Sequence, residues 1–158
     1  MPKKMPIIEY VEDRMETEEL LERLCPPVRN WFKDKFPDFT EPQKVAIPRI
    51  LNGEHLLLCS PTGSGKTLTA FLTIIDDLVR RSLDGTLPDS VQCVYISPIK
   101  ALANDIEKNL LGPLGEIKEK YLPSRAKEIK VGLRTGDTPQ SERQKMLRKP
   151  PHILITTP

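Results

Sequence analysis

The sequence predicts an α/β fold, a mainly parallel central sheet with helices on both faces, from three observations. Four short apolar runs, Leu56 to Cys59, Gln92 to Ser97, Ile129 to Leu133 and His152 to Thr157, alternate with longer stretches whose apolar residues recur at helical spacing. A turn of small residues, 60–65, joins the first run to the longest of those stretches. Most of the 16 prolines lie between the segments and punctuate them. Strands separated by helices need crossover connections, and crossovers make a parallel sheet covered on both sides.

Taken in order, Thr17 to Leu24 sets Leu20, Leu21 and Leu24 on one side of a short acidic helix that Pro26 and Pro27 end. Val28, Trp31, Phe32 and Phe36 fall at helical intervals and predict a second helix, with Trp31 and Phe32 as core packing. From Phe39 to Gly53 the chain reads as a helix with Thr40 as N-cap, Pro42 near its start and Asn52-Gly53 at its end. After the first strand, Leu68, Phe71, Leu72, Ile75, Leu78 and Val79 mark a helix expected to end near Arg81, with a polar loop over 82–90. The second strand, 92–97, leads through Pro98 and Ile99 into a helix over 101–111 with Leu102, Ile106 and Leu110 on one face, closed by Gly112-Pro113. Residues 113–128 are mixed and charged, with Ile117, Tyr121 and Leu122 on one helical face. The third strand, 129–133, precedes Thr138-Pro139, an N-cap followed by proline at the first helical position, and a helix to about Arg148. Lys149-Pro150-Pro151 breaks that helix before the last strand.

At 158 residues the chain has the length of one domain, with residues 1–36 as a helical lead-in and 37–158 as the main body. Its net charge of +2 hides an asymmetry: 12 basic and 15 acidic residues over 1–99, against 12 and 7 over 100–158. The positive second half fits a polyanion-facing surface, and equally fits solvated lysines. Three cysteines, an odd number without a Cys-x-x-Cys pair, read as cytosolic thiols and imply no metal site. The start of the chain lacks a leader pattern, and no run reaches the roughly 18 apolar residues of a membrane span. A soluble, cytoplasmic protein is expected.

Residues 60–67 read Ser60-Pro61-Thr62-Gly63-Ser64-Gly65-Lys66-Thr67, a phosphate-binding loop that opens on Ser60 where the general form has glycine. Glycines at 63 and 65 let the backbone curl with N–H groups inward, and the helix that follows adds its positive dipole end. Pro61, Thr62, Gly63, Ser64, Gly65, Lys66 and Thr67 are therefore candidate triphosphate contacts, Lys66 reaching the outer phosphates and the Thr67 hydroxyl holding Mg²⁺. ATP and Mg²⁺ are the expected cofactors. A Gly-x-Gly-Lys-Thr in a surface turn can occur by chance; the strand before it and the helix after it argue for the functional alternative.

All four strand candidates end in small polar residues: Ser60-Pro61-Thr62-Gly63, Ser97-Pro98-Ile99-Lys100, Arg134-Thr135-Gly136-Asp137-Thr138 and Thr156-Thr157-Pro158. Open α/β sheets bind ligands at such ends. Any αβ turn uses these residue types, but together they also form equipment for gripping a phosphodiester backbone without reading bases. In this order the motifs resemble the first RecA-like domain of superfamily 2 (DEAD/DEAH-like) helicases, with the closest likeness to the large-helicase-related (Lhr) DNA helicases. Phe39 to Gln43 is similar to the family's adenine-recognising segment and 60–67 to motif I, which in these helicases often starts with Ala or Ser. Residues 98–105 are similar to motif Ia, Thr135-Gly136-Asp137 to the loop on the tracking strand, and Thr156-Thr157-Pro158 to the start of motif Ib.

The resemblance implies a three-layer RecA-like P-loop domain over 37–158. It implies that Gln43 hydrogen-bonds the adenine edge with Phe39 nearby, and that Lys66 and Thr67 serve phosphoryl transfer. Pro98, Lys100, Ala101, Thr135, Gly136 and Thr157 become candidate contacts to single-stranded or forked nucleic acid, DNA foremost, with Asp137 capping its own turn. It also implies that the family's acidic motif II, and a second RecA-like lobe as partner, would lie beyond Pro158. The chain then reads as an N-terminal fragment of an ATP-dependent helicase, inactive alone, with an uncovered sheet edge that favours aggregation. A different P-loop NTPase or kinase and a non-catalytic nucleic-acid-binding module are the alternatives.

Overall fold

The computed structural model describes residues 9–98 and 106–158, and its elements follow from local chemistry. Two short helices come first, α1 (Thr17–Arg23) and α2 (Pro26–Lys35), the second opening on prolines that need no helical N–H partner. α3 (Glu41–Leu51) starts after Thr40 and tolerates Pro48 in its interior. Pro48 has no N–H to return to the Lys44 carbonyl, and the Met15 N–H takes that carbonyl instead at 3.1 Å.

The long helix α4 (Lys66–Asp84) is the centre of the core, with Phe71, Leu72, Ile75, Leu78 and Val79 all buried. Leu20, Val28 and Phe32 of the first two helices, and Leu24 between them, pack into the same cluster. Asp76, also buried, fixes them there: its carboxylate accepts the Cys25 N–H at 2.6 Å and the Arg80 Nε–H at 2.7 Å. Burial beside that carboxylate pushes the Cys25 thiol up to about 12.

Three short strands, β1 (Cys93–Ile96), β2 (Val131–Arg134) and β3 (Ile153–Thr156), form one parallel sheet in the order β1-β3-β2. Between β1 and β2 the chain passes through a π-helical turn (Glu107–Leu111) and α5 (Gly112–Lys120); between β2 and β3 it passes through α6 (Gln140–Arg148). The first crossover steps across β3 and the second steps back, so right-handed connections must place their helices on opposite faces. The side chains agree. Tyr95, on the face shared with Ile153 and Ile155, meets the Phe71 ring of α4 with centroids 4.7 Å apart, and Leu110, Leu114 and Ile117 join that core. On the other face a Cβ on Gly132 would sit 3.5 Å from Met146 Sδ of α6 and 2.8 Å from Pro151, which leaves room for glycine alone. Among the described residues no helix is long and apolar enough to cross a membrane.

Four sequence-based expectations are corrected. Leu56–Cys59 is not a strand: residues 54–60 have no ladder partner among the described residues, and Leu57 is 84% exposed. A strand without a neighbour has no sink for its backbone hydrogen bonds. α4 runs to Asp84, beyond Arg81, because the buried Ser82 hydroxyl donates to the Lys127 carbonyl at 2.6 Å and Gly85, at φ +72°, supplies the left-handed stop. β2 is shifted toward its C-terminal side, since Lys130 N–H is taken by His152 Nδ1 before the ladder begins. Gly112-Pro113 does not close a helix. The Gly112 N–H reaches back to Glu107 across the π turn, and this wider turn admits the proline ring at the start of α5. Most of the helix expected over 101–111 lies outside the described residues.

Candidate nucleotide and nucleic-acid site

The small-residue loop folds onto its own helix. Gly63 and Gly65 both take positive φ, +83° and +85°, and Gly65 is the N-cap of α4. No backbone carbonyl among the described residues takes the N–H groups of Lys66, Thr67 and Leu68, so the first turn of α4 presents free amides along the helix axis. The Lys66 ammonium turns back onto the loop, donating to the carbonyls of Ser60 and of Pro61, the latter at 2.8 Å. Ser60 and Ser64 join their hydroxyls at 2.6 Å, which shows how serine serves at the first position of the motif. Free amides, a lysine held by two weak acceptors and an exposed Gly63 fit an anionic phosphate chain.

The segment at the start of α3 is built into this loop. Thr40 donates its hydroxyl to the Ser64 carbonyl at 2.8 Å, while Gln43 accepts the Thr40 N–H at 2.9 Å and reaches the Gly65 carbonyl at 3.4 Å. Gln43 is 3% exposed, and a Cβ on Gly65 would come within 2.6 Å of its Nε2. Phe39 is buried with its ring stacked on Phe32 at 3.9 Å, so that face of the ring is occupied.

The remaining site residues share one rim. β1, β2 and β3 are parallel and level, with Ile96 and Arg134 both opposite Thr156. The segments Ser97-Pro98, 135–138 and Thr157-Pro158 therefore leave the sheet side by side. α4 runs against the strands: Phe71 near its start meets Tyr95 late in β1, and Arg81 near its end donates to Gln92 just before β1 at 2.7 Å. Its first turn, with Lys66 and Thr67, lies toward the same rim. Lys100 and Ala101 lie outside the described residues.

The comparisons with known proteins bear on this arrangement. The DEAD/DEAH box helicase family model matches residues 40–158, the stretch that carries every site residue described except Phe39. The chain belongs to the DEAD/DEAH box helicase family.

Within that family it is 50% identical to the ATP-dependent helicase Lhr-Core of Methanocaldococcus jannaschii over 153 residues, 96% of this chain and 18% of the relative. It is 43% identical to the Lhr helicase/uracil glycosylase of Escherichia coli over 139 residues, 84% of this chain and 9% of that protein. The structure of Mycobacterium smegmatis helicase Lhr bound to ssDNA and AMP-PNP superposes with a TM-score of 0.72 at 42% identity, covering 87% of this chain and 17% of that one. A DEAD-box helicase, Mss116, has the same fold at 24% identity, with a TM-score of 0.67 and coverage of 95% and 29%. The chain thus spans less than a fifth of the length of the Lhr relatives.

Two contacts of these loops escaped the sequence reading. Thr40 is legible only as an N-cap, although its hydroxyl is committed to the phosphate loop. Arg143, near the start of α6, donates to the carbonyls of Thr135, Gly136 and Thr138. The available signal was a cation close to a helix N-terminus, where the dipole disfavours it.

Proposed function

We propose that this chain is the ATP-binding lobe of a nucleic-acid helicase or translocase that works in the cytoplasm and tracks along single-stranded or forked DNA. The shared rim supports this most directly: the first turn of α4, Ser97-Pro98 after β1, the loop after β2 and Thr157-Pro158 after β3 all lie at the same end of the fold. The 42% identity to an Lhr helicase whose structure holds ssDNA and AMP-PNP supports both ligands. In this reading Lys66 leaves the Ser60 and Pro61 carbonyls for the outer phosphates, and the free amides of 66–68 take phosphate oxygens. The Thr67 hydroxyl would hold Mg²⁺, and Gln43 would read the adenine edge while bracing Gly65. Pro98, Lys100, Ala101, Thr135, Gly136 and Thr157 would line the path of the strand. Bound ATP supplies phosphoryl transfer, which a second RecA-like lobe in the longer parent would complete.

The test is Lys66→Ala in the full-length parent. ATP turnover should fall to background while single-strand binding stays within about twofold, because the lysine serves phosphates of the nucleotide alone. Equal loss of both activities would overturn the separation of the two sites. ATP turnover without stimulation by DNA would favour a P-loop NTPase of another kind.

A further inference from the structure

The loop after β2 is held from inside by one side chain. Arg143 is half-buried at the start of α6; its Nη2 donates to the carbonyls of Thr135 at 3.1 Å and Gly136 at 2.8 Å, and its Nε to that of Thr138 at 2.9 Å. The loop closes on itself as well, with the Thr135 N–H on Thr138 Oγ1 at 2.8 Å and the Thr138 N–H on the Thr135 carbonyl at 3.3 Å. No described peptide bond is cis. In a trans peptide the carbonyl and the following N–H point in opposite directions. Drawing the carbonyls of Thr135 and Gly136 onto the guanidinium therefore turns the N–H groups of Gly136 and Asp137 away from it. Both residues are exposed, and neither N–H donates to any described group.

We propose that Arg143 is a positioning residue that presents the consecutive Gly136 and Asp137 amides to a phosphodiester oxygen of the bound strand. This rests on the reading of the loop as a nucleic-acid contact and adds how the loop is made competent. The guanidinium charge is spent on three carbonyls, so it acts through geometry and not as a phosphate ligand. A lysine keeps the charge but has no planar fork to span three acceptors. Gly136 fits the same role: a Cβ there meets nothing within 4 Å, so alanine is tolerated by the fold yet places a methyl group beside the paired amides.

The experiment is amide-resolved NMR of the chain titrated with a short oligodeoxythymidylate, repeated across a salt series for wild type, Arg143→Ala, Arg143→Lys and Gly136→Ala. In the wild type the Gly136 and Asp137 resonances should move on binding. Both Arg143 variants should bind about tenfold more weakly with those resonances unmoved, as expected for lost hydrogen bonds to a charged group. Their salt slope should match the wild type. Gly136→Ala should bind more weakly with an unchanged unfolding midpoint. Full rescue by Arg143→Lys, or a salt slope lowered by about 0.7 in Arg143→Ala, would make Arg143 a direct phosphate contact and overturn the proposal. Binding by the wild type that leaves both amides unmoved would also overturn it, while the reading of the chain as a strand-binding lobe would stand. No binding by the wild type would defeat that reading, and the proposal with it.

Discussion

α4 and the segment 54–60 just before the phosphate loop have similar apolar content and opposite surroundings. The helix is enclosed by α2, α3, the π turn and the sheet, with Phe71, Leu72, Ile75 and Val79 all at 0% exposure. Leu56 and Leu57 are 39% and 84% exposed on a stretch that pairs with nothing described. A helix satisfies its backbone internally and needs only an apolar neighbour, whereas a strand needs a backbone partner in register before its side chains can be buried. The sheet repeats the contrast within itself. Ile153 and Ile155 are buried toward α4, while Val94 and Ile96 on the opposite face are 53% and 61% exposed.

The sharpest way to break this contrast is to truncate one residue on each side. Phe71→Ala removes a ring buried against Tyr95 and should cost about 3–5 kcal/mol. Ile96→Thr, on the open face, should change stability by less than about 0.5 kcal/mol and reduce self-association by breaking an exposed apolar patch. Urea unfolding measures both, and light scattering the second. Equal losses would mean that the outer face is as well covered as the inner.

A second comparison isolates the polar tie inside the core. Asp76→Ala would strand the Cys25 N–H in a buried place and free Arg80, at a cost of about 2–4 kcal/mol. Asp76→Asn keeps an acceptor for the amide and should lose less. If both variants unfold at the same urea concentration, the Arg80 pair and not the amide is what matters.

These same contrasts explain how far the sequence could be read. α1 to α4 and β3 were legible because periodicity, proline and capping residues are local: Thr40, Pro42 and the 3.6-residue spacing of Leu68 to Val79 act within a turn or two. The turn at 60–65 was legible for the same reason, since Gly63 and Gly65 set its left-handed backbone locally. The extension of α4 to Asp84 was not, because the Ser82 hydroxyl finds its acceptor 45 residues away at Lys127. Nor was the unpaired state of Leu56–Cys59, since an apolar run states only that a segment favours burial. Arg143 was hidden because its three acceptors belong to a loop whose carbonyls turn inward only after folding.

The smallest predicted effect is a dependence on pH at the junction of β3 with the loops beneath the sheet. His152 is buried, accepts the Lys130 N–H at Nδ1, and has its pKa lowered below the ordinary 6.5 first by burial and then by Lys127 and Lys130, with Asp89 opposing. With the folded value below the unfolded one, the unfolded chain binds more protons as pH falls, so stability is fully present above about pH 6.5 and declines below it. Asp38, Asp89 and Glu116 have lowered values through bonds to Thr17 and Lys44, to Lys127, and to Lys35 and Trp31 respectively, and their losses begin only near the carboxylate range. The two windows separate. His152→Asn keeps an acceptor near the Nδ1 position and cannot titrate. Between about pH 7.5 and about pH 5.5 the wild type should therefore lose unfolding temperature relative to the variant. Parallel profiles would mean that the imidazole takes up its proton in the folded protein without cost, and that the junction opens readily to solvent.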